Sequence, residues 1–343
     1  DVYKRQSDYS ASATQYLAQT YLKLDDTDEA IKAYEMGVER NPNDASLRMS
    51  LGNMLFSEER YAEAEESYEA AVRLDDSAGS RFALGQVFLK TNRLREAELQ
   101  FEKVRRQEPD STNGDYGLGL TYAAMEKNEK AIKHFEAALK IDDEFYDAHF
   151  EIGTLYANMG DMEKATEIND FLEDVDEDLA DTLNRHIYKV DPPKIAFARA
   201  TGEFLYQMPP GSTLEAMDSY LANANASKTY TMEFQFDKEM DRSSVENIFN
   251  WNIGRSSSYG PGQAYNFGRP VPDTEVSLPP LPLYVTYDAD TLGATVYFNV
   301  TQNENGDGTI DPAHIEFKFS GEDKFGNAMD ADHDQFTGFN GVA

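Results

Sequence analysis

A rhythm of small residues, repeating about every 34 positions, fixes what the first half of this chain can fold into. The first ladder is Ala18, Gly52, Gly85, Gly119 and Gly153, with spacings of 34, 33, 34 and 34. A second ladder, Ala30, Ala64, Ala97, Ala131 and Ala165, keeps the same spacings. Four residues after its first four members stand Tyr34, Tyr68, Phe101 and Phe135, until Asn169 breaks the series. Three residues after the first ladder come Tyr21, Leu55, Phe88, Tyr122 and Tyr156. Self-similarity at a fixed period marks stacked units, each too small to bury its own apolar face alone.

Each period holds two amphipathic helices. A Gly or Ala at their crossing lets the backbones approach, and a large aromatic one turn away fills the space beside it. Turn and cap signals such as Asn41-Pro42-Asn43-Asp44 and Glu108-Pro109-Asp110-Ser111 separate the helices. The pattern resembles the tetratricopeptide repeat family over five repeats, residues 7–173. Its Leu-Gly…Tyr signature stands as Leu118-Gly119…Tyr122 and, with isoleucine, as Ile152-Gly153…Tyr156. The family's first-helix tryptophan is absent, and Thr14, Arg48, Arg81, Asp115 and His149 occupy its place. The fifth repeat decays after Ala165. Leu172, Val175, Leu179, Leu183 and Ile187 then form an amphipathic stripe that predicts a capping helix over 174–190.

The resemblance implies an all-α superhelix, a solenoid whose first helices line a concave groove for an extended peptide or a partner helix. Carried over by register, the fifth position of each repeat gives Gln15, Met49, Phe82, Tyr116 and Phe150. The ninth gives Gln19, Asn53, Gln86, Leu120 and Thr154. The partner-binding set this implies is Gln15, Met49, Asn53, Phe82, Gln86, Tyr116 and Phe150, with aromatics in three consecutive repeats. The competing reading makes these side chains core, packed between neighbouring first helices. The family's clamp for acidic tails needs groove lysines and arginines. Only Lys23 and Lys90 stand at such positions here, which argues against that class of partner.

Composition changes at Asp191-Pro192-Pro193, where helical periodicity stops. Residues 191–228 read as a linker and first-strand region, and 229–343 as a β-sandwich. Tyr230, Met232, Phe234 and Phe236 alternate onto one face, as do Val296, Phe298 and Val300, and Ile315, Phe317 and Phe319. Ser243 and Glu246 look like a capping box opening a helical turn before Trp251. Two stretches resemble the bacterial Ig-like domains of surface-layer and adhesin proteins. They are Phe234-Gln235-Phe236-Asp237-Lys238-Glu239-Met240-Asp241 and Asp323-Lys324-Phe325-Gly326-Asn327-Ala328-Met329. The resemblance implies an all-β Ig-like sandwich following the solenoid, and with it a bacterial periplasmic, envelope or extracellular location. A Gly/Pro-rich insertion at 256–282 departs from that pattern. Its Tyr259, Tyr265 and Phe267 either form a recognition surface or fold back onto the sandwich.

The remaining chemistry is mostly negative. A net charge of −32 disfavours nucleic acid and anionic lipid as partners, and the 40% apolar content contains no membrane-length run. The absence of cysteine removes disulfides, thiol catalysis and thiolate metal sites. None of His134, His149, His186, His314 and His333 sits in a recognisable ligand motif, and no phosphate cradle or nucleophile elbow occurs; Gly260-Pro261-Gly262 reads as a turn. The stretch Asn303 to Ile310 mimics a calcium loop, but Asn303 stands first and His314 twelfth, where carboxylates are required. Asp330, Asp332 and Asp334 alternate without the following glycine. No metal, no cofactor and no catalysis are therefore expected.

Asp1-Val2-Tyr3-Lys4-Arg5-Gln6 resembles the in-frame translation of the transposon end used in tagmentation libraries. That implies an artefact over residues 1–6 of a metagenomic fragment whose true N-terminus is missing. The chain is expected to be a multidomain protein–protein interaction scaffold that binds a peptide or helix in its groove. The alternative is an envelope or glycan-binding surface protein acting through the β domain.

Overall fold

Several helices of the first half start at short polar caps. In a computed structural model, which describes residues 11–201, 204–256 and 264–337, eleven helices run from residue 11 to residue 190. Residues 1–10, with the adapter-like hexapeptide, lie outside the described residues, as do Tyr259 and Gly260-Pro261-Gly262. The helices are α1 (Ala11–Leu22), α2 (Thr27–Arg40), α3 (Ala45–Ser57), α4 (Tyr61–Leu74), α5 (Ala78–Lys90) and α6 (Leu94–Gln107). They continue as α7 (Thr112–Ala124), α8 (Asn128–Leu139), α9 (Tyr146–Asn158), α10 (Met162–Val175) and α11 (Glu177–Val190). Asp26, Asp44, Ser77, Ser111 and Asp161 accept hydrogen bonds from amides of the first turns they precede, satisfying donors that would otherwise be orphaned. Between the two helices of each repeat one residue takes positive φ: Asp25, Glu59, Asn92, Glu126 and Gly160. That turn recurs in the same register as the other ladders.

The chain divides into two compact units, residues 1–188 and 189–343. In the first, the ladders form the packing seam. Ala30, Ala64, Ala97, Ala131 and Ala165 are all 0% exposed. A Cβ added to Gly52, Gly85 or Gly119 would lie 2.5, 2.7 or 2.5 Å from the ring of Tyr68, Phe101 or Phe135. The glycine is therefore what lets each second-helix ring lie against the first helix. Repeat five is built differently. Asn169 is buried in the ring's place, and Leu183 of α11 comes over Gly153 instead, 2.6 Å from where its Cβ would be. α10 continues to Val175, so the helix persists where the repeat pattern breaks off after Ala165. Asp176, which caps α11 through the Leu179 amide, interrupts the stripe and leaves Val175 exposed.

The second unit contains two antiparallel sheets. One has the order β1 (Ile195–Thr201), β3 (Ser227–Phe236), β6 (Gly293–Thr301) and β5 (Tyr284–Asp288). The other is β4 (Trp251–Arg255), β8 (Ile315–Phe319) and β9 (Gln335–Thr337), and a small ladder pairs β2 (Ser212–Thr213) with β7 (Thr309–Ile310). The period-two alternation becomes inner faces. Phe234 contacts Trp251 and Phe317, Phe298 contacts Phe317, and Phe236 contacts Phe319, joining the two sheets across one core. The indole N–H of Trp251 donates to the Val245 carbonyl at 2.8 Å. The helical turn Arg242–Val245 is capped by Asp241, which accepts from the Ser244 amide, and not by Ser243. Asp241 also takes the Ser243 hydroxyl, so the carboxylate outcompetes the serine for the cap.

The stretch beginning at Asp323 is a turn organised by its own carboxylate. Asp323 accepts from the amides of Phe325 and Asn327 and from the Asn327 side chain, and forms a buried ion pair with Lys238 at 3.1 Å. Burial works to raise its pKa, but the hydrogen bonds from Asn327, Lys238 and Phe325 outweigh it and hold the carboxyl below its ordinary value.

Candidate peptide groove

The fifth position of each repeat lies on the first helix, one turn from the cap. There the structure places a row of side chains that are neither core nor free. Gln15, Met49, Phe82, Gln86, Tyr116 and Phe150 are half-buried, whereas Asn53 is exposed and accepts the Tyr68 hydroxyl at 2.7 Å. The Phe82 ring meets Phe101 edge-on with centroids 5.5 Å apart. Tyr116 packs at 5.6 Å on Phe135 and 4.8 Å on Phe145, and Phe150 lies against Leu172 and Leu183. Each ring is fixed on one side by a buried partner and keeps part of its surface in water. Such anchored aromatics can bury a partner's apolar side chains with little further loss of freedom.

The polar side of this row is acidic at its C-terminal end. Burial and the neighbouring Glu151 and Asp147 push the Tyr116 hydroxyl up to about 12. Burial, and then Asp147, likewise raises Glu151 above the usual carboxylate range. Sequence reasoning missed Glu151, Asp147 and Phe145. A signal for Glu151 existed: the sixth repeat position holds Ser50, Ala83 and Gly117 in the middle repeats and an acid only at Glu151.

Other polar clusters are structural. Asp115, in the position of the missing tryptophan, is buried against His134 at 2.7 Å and Arg105 at 3.4 Å, and Tyr122 stacks on His134. Arg81, at the same position one repeat earlier, reaches Gln100 and Asp76. A cleft of about 590 Å³ lined by Glu35, Arg48, Leu51, Glu63 and Glu66 touches none of the predicted groove residues.

In the β unit, the described part of the insertion turns Tyr265 and Val276 inward and leaves residues 267–273 exposed. Tyr265 is half-buried, hydrogen-bonds Glu275 and approaches the Asp311 amide, while Phe267 is 53% exposed and edge-on to the buried His314. His314 pairs with Asp311 at 2.7 Å inside the core. Asn303 closes its own loop through Asp307, and Asp330 accepts the Asp332 amide. Among the described residues no group of three or more His, Asp or Glu is placed to hold a metal ion.

Residues 17–79 match a tetratricopeptide repeat family model, and residues 119–160 match a second TPR repeat model. The helical unit is thus a tetratricopeptide-type solenoid, followed by a β unit of antiparallel sheets. Tetratricopeptide repeat protein 21B of Mus musculus is 28% identical over 93 residues, which is 27% of this chain and 7% of that protein. Among solved structures, YrrB, described as a TPR protein with an unusual peptide-binding site, matches with 22% identity and a TM-score of 0.42. That match covers 53% of this chain and 95% of YrrB. MamA 41-end from Desulfovibrio magneticus RS-1 matches with 23% identity and a TM-score of 0.43, covering 51% of this chain and 95% of that MamA fragment. No described helix is long and apolar enough to cross a membrane.

Proposed function

We propose that this chain is a non-catalytic interaction scaffold whose first helices hold an extended peptide or a partner helix, with an Ig-like β unit as accessory domain. The observation that carries the reading is the half-buried row Phe82, Tyr116 and Phe150, one aromatic per repeat in one register. Gln15, Met49, Asn53 and Gln86 extend the same surface. The Ig-like reading of the β unit draws support from its four-stranded and three-stranded antiparallel sheets, joined by one aromatic core. By that resemblance the protein works at a bacterial envelope, in the periplasm or outside the cell.

The test is selection of random linear 12-residue peptides on the full chain, followed by affinity and unfolding measurements on Phe82→Ala, Tyr116→Ala and Phe150→Ala. Half-buried rings should cost about 1–2 kcal/mol of stability each, and peptide binding should weaken by about 2 kcal/mol at a true anchor. Peptides that bind all three variants as tightly as the parent chain would remove the groove from the account.

A further inference from the structure

The C-terminal end of the groove carries three polar groups: the exposed Asp147 and the half-buried Glu151 and Tyr116. Asp147 and Glu151 stand four residues apart on α9 and so share one face of it. Tyr116 belongs to α7, the first helix of the preceding repeat. Neither carboxylate, nor the Tyr116 hydroxyl, has a hydrogen bond or ion pair among the described residues. Glu151 is half-buried, and burial and Asp147 both penalise its ionised form. A half-buried carboxylate beside a second one is costly to maintain, and an incoming cation relieves both desolvation and repulsion. The aromatic pair Tyr116 and Phe145, 4.8 Å between centroids, adds ring surface of the kind that attracts a desolvated ammonium or guanidinium.

We propose that the groove selects peptides bearing a lysine or arginine, whose cation seats against Asp147, Glu151 and the Tyr116 ring. The flanking apolar side chains of the same peptide lie on Phe82 and Phe150. This inference rests on the groove reading above and specifies the partner chemistry of that groove. Charge complementarity favours it: the groove offers cations only at Lys23 and Lys90, in earlier repeats, and acids in repeat five.

The experiment takes peptides selected on the full chain and measures their dissociation constants by fluorescence anisotropy at two salt concentrations. Each is compared on the parent chain, Glu151→Gln, Asp147→Asn, Phe82→Ala, and Glu177→Gln. The last removes one exposed charge at the start of α11 and controls for the general attraction of a −32 chain for basic peptides. Expected is a recurrent Lys or Arg whose replacement by norleucine or citrulline weakens binding about tenfold. Glu151→Gln should weaken it by a similar factor, with no further loss when both changes are combined, and Glu177→Gln should leave it unchanged. Thermal melting of Glu151→Gln confirms that the fold is intact. Peptides that depend on Phe82 but not on a cation or on Glu151 overturn the inference and leave the groove reading standing. Equal losses for Glu177→Gln and Glu151→Gln reduce the effect to bulk charge and also overturn it. Peptides indifferent to Phe82 as well, or no peptide at all, overturn both.

Discussion

Phe101 in the helical unit and Phe234 in the β unit are both fully buried rings, yet they are held by different kinds of neighbour. Phe101 is clamped by Gly85 of its own repeat and Gly117 of the next. Phe234 contacts Trp251, Phe317 and Phe336, brought from three separate strands. The helical unit is therefore a sum of short-range locks, each repeated in register, and stability in such arrays is close to a sum of repeat and interface terms. The β unit has one core closed by distant pairings, and a core of that kind is expected to unfold as a whole. The same contrast separates their surfaces. The array can spare half of each groove ring for a partner because one neighbour is enough to fix it. The sandwich commits its inner-face aromatics to one shared core, and its exposed rings, such as Phe249 and Phe267, follow no repeated register.

The largest expected effect tests the cooperative side of this contrast. Phe234→Ala should destabilise the β unit by about 3–5 kcal/mol. Trp251, the single tryptophan of the chain, reports that unit alone in denaturant unfolding. A variant whose Trp251 transition keeps its midpoint would mean the core is not shared between the sheets.

Lys238→Met comes next, because it strands the buried Asp323 carboxylate; losses of about 3 kcal/mol follow such unpairing. The Asp323 pKa is depressed in the folded chain. Its stabilising contribution is therefore present above the unfolded value of about 3.9 and lost as pH falls through the lower folded value. The gap between parent and variant should accordingly narrow on acidification below about pH 4. A gap that widens there would assign the effect to packing of the lysine stem.

Gly119→Ala should cost about 1–3 kcal/mol by overpacking, since the new methyl would meet the Phe135 ring. The damage should stay near repeat four, with amide exchange quickening in α7 and α8 while the Trp251 transition is unchanged. Uniform loss of protection across all repeats would contradict the short-range account.

The smallest effect has the opposite sign. Glu126 holds a positive φ of 58° between α7 and α8, a conformation that costs a non-glycine residue strain. Glu126→Gly should therefore gain up to about 1 kcal/mol in thermal unfolding. Destabilisation instead would show that the unfolded chain's extra freedom outweighs the relieved turn.

What was legible in the sequence follows from the same contrast. Gly52, Gly85 and Gly119 announce themselves because one packing geometry recurs and demands one residue size. The positive-φ ladder stayed hidden because Asp25, Glu59, Asn92, Glu126 and Gly160 meet one backbone need with four residue types. Strands β3, β6 and β8 show their alternation, being buried on one face and in contact with water on the other. Their order and pairing depend on contacts that no local pattern records. The capping helix begins at Glu177 because Asp176 caps it, a signal masked by the acids on either side. Glu151 was overlooked for a similar reason. In a chain with 63 acidic residues another carboxylate carries no information until its repeat position is compared with its counterparts.

The central claim is that the fifth-position aromatics face the bound partner. Photo-crosslinking tests it most directly, with p-benzoylphenylalanine placed at Phe82 on α5 or at Leu99, exposed on α6 of the same repeat. After irradiation with a selected 12-residue peptide, mass spectrometry should find the adduct at position 82 and none at position 99. Adducts at 99 with none at 82 would put the partner on the second helices and contradict the account.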